Sequence, residues 1–148
     1  MGYGNESRQN EIFVAPTAAD VLNVSGDAAV VWDVFQPITV LRVGALITVA
    51  VNATAGSTVD FDRRITTASD EDRVAKLDGT NASVVVPAST AAGKVVYKDV
   101  HVDLNPGDQI VPEVAAGACT GAGSARYFFE YVARHEVPAN LGDMVESA

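Results

Sequence analysis

Apolar and polar residues alternate along most of the chain with the two-residue period of β-strands. In the clearest stretch, residues 39–51, one face carries Leu41, Val43, Ala45, Ile47, Val49 and Val51. This stretch is long for a single strand, so Gly44 is predicted to mark a bulge or bend. The pattern therefore predicts a fold built from strands rather than from alternating strands and helices.

Segments of the same kind recur at short intervals, with turn residues between them. They cover residues 28–35, 59–65, 82–86, 93–104, 109–115 and 124–133. The Asn-Pro-Gly-Asp turn at 105–108 predicts that the strands on either side of it are antiparallel neighbours. We expect an all-β fold, an antiparallel β-sandwich of jelly-roll-like form with about 7–9 strands.

Residues 69–78 interrupt this alternation. Ser69 is a suitable N-cap, acidic residues follow it in the first turn, and Val74 and Leu77 are three positions apart. The sequence therefore predicts one short helix near 70–77. The same acidic cluster is weaker as a calcium site, because it lacks the alternating ligands and glycine of an EF-hand loop.

The chain divides into three predicted parts. Residues 1–11 carry almost no apolar side chains and are expected to form a flexible N-terminal arm, and residues 12–133 form the β-sandwich domain. Residues 134–148 lose the periodicity and are expected to form a C-terminal extension. We expect either end to become ordered on a partner or to remain mobile peptide.

Charge and cysteine content narrow the possible functions. The 148 residues include 10 Lys and Arg against 19 Asp and Glu, which gives a net charge of −9. With no basic stripe, a nucleic-acid partner is not expected. The start of the chain lacks the features of a signal peptide, and no apolar stretch is long enough for a membrane span, so neither secretion nor a membrane partner is expected. A single cysteine, Cys119, excludes an internal disulfide.

Few residues carry a pattern typical of catalysis. Asp99, His101 and Asp103 share one face of a predicted strand and could in principle hold a divalent cation. Same-face residues are about 6–7 Å apart along a strand, so a solvated polar face is the favoured interpretation. Cys119 lies in a Gly-rich segment that favours a loop over a nucleophile. We predict no catalytic residue, no metal and no cofactor, and hence a protein that is not an enzyme.

An aromatic row offers the best candidate for recognition. Tyr127, Phe129 and Tyr131 share one face of the segment 124–133. A buried row is simply core, whereas an exposed row packs against another subunit or stacks on sugar rings. The sequence favours core, and it leaves a subunit interface and a ligand platform as alternatives.

Two blocks of sequence carry a resemblance to a known class of proteins. Residues 98–114, Lys-Asp-Val-His-Val-Asp-Leu-Asn-Pro-Gly-Asp-Gln-Ile-Val-Pro-Glu-Val, are followed after a Gly/Ala loop by Ala-Arg-Tyr-Phe-Phe-Glu-Tyr at 125–131. The body that contains them resembles the small β-sandwich structural proteins of tailed bacteriophages, most closely the capsid decoration, or cement, proteins. Such proteins are compact β domains with extended termini. They bind the outside of the icosahedral head, often as trimers, and clamp neighbouring capsomers.

The resemblance implies a non-enzymatic virion protein on the capsid exterior, made in the host cytoplasm. Its partners would be the major capsid protein or another virion subunit, together with further copies of itself, most simply as a homotrimer. The residues predicted to form its interfaces are Tyr3, Tyr127, Phe129, Tyr131, Val137, Leu141 and Met144. The alternative is a carbohydrate-binding or adhesion module, which requires solvent-facing Tyr127, Phe129 or Trp32 with a polar surround.

Overall fold

Every regular element in the described residues of the computed structural model is a β-strand. The structure describes residues 11–27, 31–51, 55–65, 75–78, 83–115 and 121–134. Its strands are β1 (Phe13–Val21), β2 (Gly26–Asp27), β3 (Trp32–Asp33), β4 (Ile38–Val49), β5 (Ser57–Ile65), β6 (Ala75–Lys76), β7 (Ser83–Val86), β8 (Val95–Leu104), β9 (Asp108–Val114) and β10 (Ser124–Ala133). The predicted all-β class is confirmed.

The strands form two antiparallel sheets. The first sheet has the order β1-β10-β4-β8. In the second sheet β9 and β5 are central, β2 and β3 both pair with β9, and β6 and β7 both pair with β5. The short strands therefore act as two interrupted edges. If each interrupted edge is counted as one strand, the described strands number eight and follow the connectivity of a jelly roll. This confirms the predicted β-sandwich.

The core lies between the two sheets. Phe61 of the second sheet meets Tyr127 of the first edge-on, with ring centroids 6.2 Å apart. The inward positions alternate along each long strand, as the hydrophobic pattern predicts. The most deeply buried of them include Val40, Val43, Ala45, Ile47, Val59, Phe61, Leu104, Ile110, Ala125 and Tyr127.

Gly44 has a different role from the predicted one. The irregularities in β4 fall between Val40 and Arg42 and between Ile47 and Val49, where the register against the neighbouring strands shifts. Gly44 instead lies directly opposite Phe128 of β10. A Cβ atom at this position would lie 2.5 Å from the Phe128 ring and 2.6 Å from the Val96 carbonyl oxygen. Glycine is therefore needed at position 44 because β8 and β10 approach β4 too closely for a side chain, and not because β4 bends there.

The prediction that the strands around residues 105–108 pair with each other is wrong. The turn itself forms, with the Asp108 amide donating to the Asn105 carbonyl at 3.0 Å and Gly107 at a φ of 97°. However, β8 pairs with β4 in the first sheet, whereas β9 pairs with β5 in the second. The turn thus carries the chain across the sandwich.

The predicted helix is wrong in its last part. Ala75 and Lys76 form β6, which pairs with Arg63 and Asp62 of β5, and a turn follows at 77–78. Edge pairing therefore prevails over the weak helical pattern at these positions. Residues 70–74 lie outside the described part, as do most of the N-terminal arm and the C-terminal extension. No helix among the described residues is long and apolar enough to cross a membrane.

Candidate functional site

An aromatic cleft opens between the edges of the two sheets, where β1 of the first sheet faces β3 of the second. It has a volume of about 330 Å³. Its lining is largely apolar and comprises Ala15, Trp32, Asp33, Val34, Phe35, Gln36, Ile38, Phe129 and Tyr131. We call this feature the aromatic cleft.

The aromatic rings along the cleft form a continuous series. Phe13 stacks on Tyr131 with ring centroids 5.5 Å apart, and Tyr131 lies 5.4 Å from Phe129. Trp32 then meets Phe129 edge-on at 4.6 Å. Offset and edge-on pairs of this kind are favourable beyond the area they bury, so the series gives the cleft a rigid apolar wall.

Strand register positions these rings. Phe13 lies opposite Tyr131 and Ala15 opposite Phe129, so these pairs share the inward face of the first sheet. Ala15 and the largely buried Phe129 both line the cleft at this end of the sheet. Trp32 lies opposite Ile110 on the second sheet and closes the far side of the cleft.

The rim of the cleft combines one large exposed ring with polar groups. Phe35 is 87% exposed. Asp33 accepts a hydrogen bond from the Gln109 amide at 2.7 Å, and Gln36 lies beside Phe35 on the same connection. The cleft can therefore accept an apolar group in its floor and a polar group at its rim.

The structure separates the predicted aromatic row into core and cleft. Tyr127 is wholly buried between the sheets, so its assignment to an interface is corrected to core. Burial raises the pKa of its hydroxyl, which has no hydrogen-bond partner in the described structure. Phe129 is 4% exposed at the cleft floor, and Tyr131 is half-buried in its wall. The other predicted interface residues, Tyr3, Val137, Leu141 and Met144, lie outside the described residues.

The sequence pattern missed two residues of this site. The pattern assigns Phe13 no role, although its register opposite Tyr131 places it in the aromatic series. For Phe35 the pattern predicts the end of a strand at 28–35. Phe35 is two positions after the polar Asp33 and therefore belongs to the same face of the alternating pattern. That position indicates an exposed ring.

A second exposed apolar surface lies along β1, the edge of the first sheet. Ile12, Phe13, Val14, Pro16 and Ala18 are all exposed, and Val14 is 57% exposed. No charged residue occurs between Glu11 and Asp20. We call these five residues the β1 strip.

Two of the three candidate metal ligands are bound by side chains of β4 instead. Asp99 accepts a hydrogen bond from the Arg42 guanidinium at 2.8 Å, which raises the pKa of Arg42. Asp103 accepts from the Thr39 hydroxyl at 2.6 Å, and His101 is exposed between them. Within the described ranges no group of three His, Cys, Asp or Glu side chains is placed to hold a metal ion.

A pair of acidic side chains lies on the outer face of the second sheet. Asp62 is only 4% exposed and interacts with Glu113 of the neighbouring strand. Burial, followed by the hydrogen bond and charge of Glu113, raises the pKa of Asp62 to about 7. The Asp62 carboxyl group therefore keeps its proton up to near-neutral pH.

Comparison with known proteins identifies no family. No protein-family model matches the chain, and no curated protein matches it. The chain is similar to a solved structure described as "Structure of Eiger TNF from S. frugiperda", with a TM-score of 0.40 and 10% identity over 72% of this chain and 67% of that one. A similarity of this size carries no argument about function.

Proposed function

We propose that this protein is a non-enzymatic structural subunit of a virion that decorates the outside of a phage capsid and bridges neighbouring capsomers as a homotrimer. The observation that carries the proposal is the β1 strip. It is an exposed apolar edge on a protein that is otherwise strongly acidic. Surfaces of this kind are typically covered by another protein chain.

Charge favours the β1 strip as the contact between copies. Each chain carries a net charge of −9, so two copies repel each other wherever their acidic surfaces meet. The strip carries no charge and is apolar, and the centres of protein interfaces are typically depleted in charged residues. Repulsion between copies is therefore weaker at the strip than at the acidic parts of the surface.

Pro16 and the irregularity after it favour side-chain packing over sheet extension. The register between β1 and β10 shifts between Pro16 and Ala19. A proline and a bulge both interrupt the row of groups that a further strand would pair with. We therefore expect copies to meet through the side chains of the strip.

The first test is the absolute mass of the protein in solution, by light scattering behind a sizing column at two concentrations. We expect a trimer, with three times the 15.4 kDa of one chain. Val14→Asp places a charge in the strip and should yield monomers. Val85→Asp, the same change at an exposed valine of β7, is the control and should leave the trimer intact. A wild-type monomer, or equal masses for both variants, would contradict the proposal that copies associate through the β1 strip.

The capsid itself is tested by co-sedimentation with phage particles from the source culture. We expect the protein to sediment with intact heads at a saturable ratio. Deletion of residues 1–11 should weaken this binding while leaving the melting temperature unchanged. Absence of the protein from such particles would contradict a virion role, whatever its oligomeric state.

The rim of the aromatic cleft supports a second candidate, a carbohydrate-binding module. Exposed Phe35 and partly buried Trp32 lie beside Asp33 and Gln36, which is the combination of stacking rings and polar groups that sugars require. A glycan array screened with wild type and Phe35→Ala distinguishes this candidate. Binding that is lost in Phe35→Ala would favour it over the virion role.

A further inference from the structure

The aromatic cleft leaves apolar surface open at one end of the sandwich. Phe35 is 87% exposed and Phe13 is 39% exposed, and the cleft extends inward to the Phe129 ring. Apolar area of this kind is costly in water and favours an occupant with matching side chains. The cleft is separate from the outward-facing part of the β1 strip around Val14.

The last described residue, Arg134, lies beside this cleft. Its backbone amide donates to the Pro37 carbonyl at 2.9 Å, and its guanidinium donates to the Ile38 carbonyl at 3.2 Å. Pro37 lies between Gln36 and Ile38, both of which line the cleft. A second guanidinium bond, to the Leu104 carbonyl at 2.7 Å, helps to fix the point from which residues 135–148 begin.

The C-terminal segment carries apolar residues at a helical spacing. Leu141, Met144 and Val145 are related as i, i+3 and i+4, so a helix that begins at Pro138 would place them on one face. An extended chain covers about 3.3 Å per residue, so this face is within reach of the cleft mouth from Arg134. Leucine and methionine suit a cleft walled by aromatic rings, and methionine sulfur contacts such rings favourably.

The short connection favours the same chain over a second copy as the source of the occupant. A segment tethered next to its site has an effective concentration in the millimolar range, well above that of a dilute second chain. We propose that residues 135–148 dock back into the aromatic cleft of their own chain, with Leu141 and Met144 against the wall formed by Trp32, Phe129 and Tyr131.

The single tryptophan makes this docking measurable in the full chain, because Trp32 lines the cleft. The variant Leu141→Asp places a charge on the apolar face. Ala139→Asp adds the same charge at a position that the helical spacing puts on the opposite face. We expect the first variant to shift Trp32 emission to longer wavelength and to raise its acrylamide quenching constant. The second variant should match the wild type.

Three outcomes would overturn the proposal. The first is Trp32 emission that is identical in all three proteins. The second is an equal shift in both variants, because charge alone would then explain it. The third is a wild-type signal that changes on dilution over a range in which the mass by light scattering stays constant, because docking within one chain does not depend on concentration. The mass and capsid tests above do not use this readout, so the two proposals can fail independently.

Discussion

The buried side chain of Asp62 makes the stability of the folded protein depend on pH. Its ordinary pKa is 3.8, and burial beside Glu113 raises the pKa in the folded chain to about 7. A raised pKa means that the folded state holds the proton more tightly than the unfolded state does. This contribution is fully present below about pH 4 and is lost as the pH rises through about 7.

We therefore expect Asp62→Asn to flatten the fall in unfolding free energy between pH 4 and pH 7. At pH 8 the variant should be more stable than the wild type by on the order of 1 kcal/mol, because it buries no charge. Chemical denaturation across this pH range measures the effect. Glu113→Gln removes the neighbouring charge and should move the wild-type transition to lower pH. A wild-type stability that rises from pH 4 to pH 7, with no change in Asp62→Asn, would contradict this account.

Tyr127 leaves a polar atom in the core without a partner. Its ring packs edge-on against Phe61, while its hydroxyl has no hydrogen bond among the described residues. Tyr127→Phe keeps the ring and removes the buried oxygen, so we expect the unfolding free energy to rise by about 1 kcal/mol.

Tyr131→Phe, in the same strand but half-exposed, is the matched control for this change and should have little effect. The shift in denaturation midpoint compares the two variants. Destabilisation by Tyr127→Phe would mean that the hydroxyl has a partner after all.

At the scale of elements, the packing of β4 between its two neighbouring strands requires a glycine at position 44. A methyl group at Gly44 would overlap both the Phe128 ring and the Val96 carbonyl oxygen of the two flanking strands. The ring can tilt away, but the carbonyl belongs to the β8 backbone and cannot move without loss of pairing.

Gly44→Ala should therefore lower the unfolding free energy by about 1–3 kcal/mol, in the range of other overpacked sites. Thr48→Ala introduces the same residue in the same strand and removes a hydroxyl that has no partner in the described structure, so it should cost less. Thermal unfolding of both variants measures the difference. Equal melting temperatures would show that the strands around Gly44 adjust freely.

The positions of most long strands could be predicted from the sequence, but β1 and the pairing of the strands could not. Alternation located β5, β8 and β10 nearly to their ends, because the inward face of each strand is apolar. It could not show that the turn at 105–108 crosses between sheets, since turn residues specify a reversal and not the partner of the next strand. Nor could it reveal that Asp62 is buried beside Glu113, a contact set by the register of β5 against β9.

The candidate site could be predicted only in part, for a similar reason. The aromatic row on β10 is visible as an alternation, but its division into a core residue and two cleft residues depends on where the sheet edges lie. Ala15 and Trp32 complete the cleft from two other strands in different sheets. No local pattern brings these positions together.

For the whole molecule, the net charge of −9 opposes the association that the β1 strip favours. Salt screens repulsion between exposed charges, and the screening length falls from about 30 Å at 0.01 M to about 8 Å at 0.15 M. We therefore expect the proposed trimer to become tighter as ionic strength rises. Analytical ultracentrifugation at low and physiological salt measures this trend. Tighter association at low salt would indicate that attraction between opposite charges holds the copies together instead.

The central position of β10 in the first sheet also governs how the chain can fold during synthesis. This strand is the last of the described strands, yet it lies between β1 and β4 and joins them. Until residues 124–133 leave the ribosome, Phe13 of β1 lacks its ring partner Tyr131 and the first sheet is split in two. The first sheet therefore cannot form before β10 has been synthesised, and the slow non-local pairing that follows exposes apolar edges to other nascent chains.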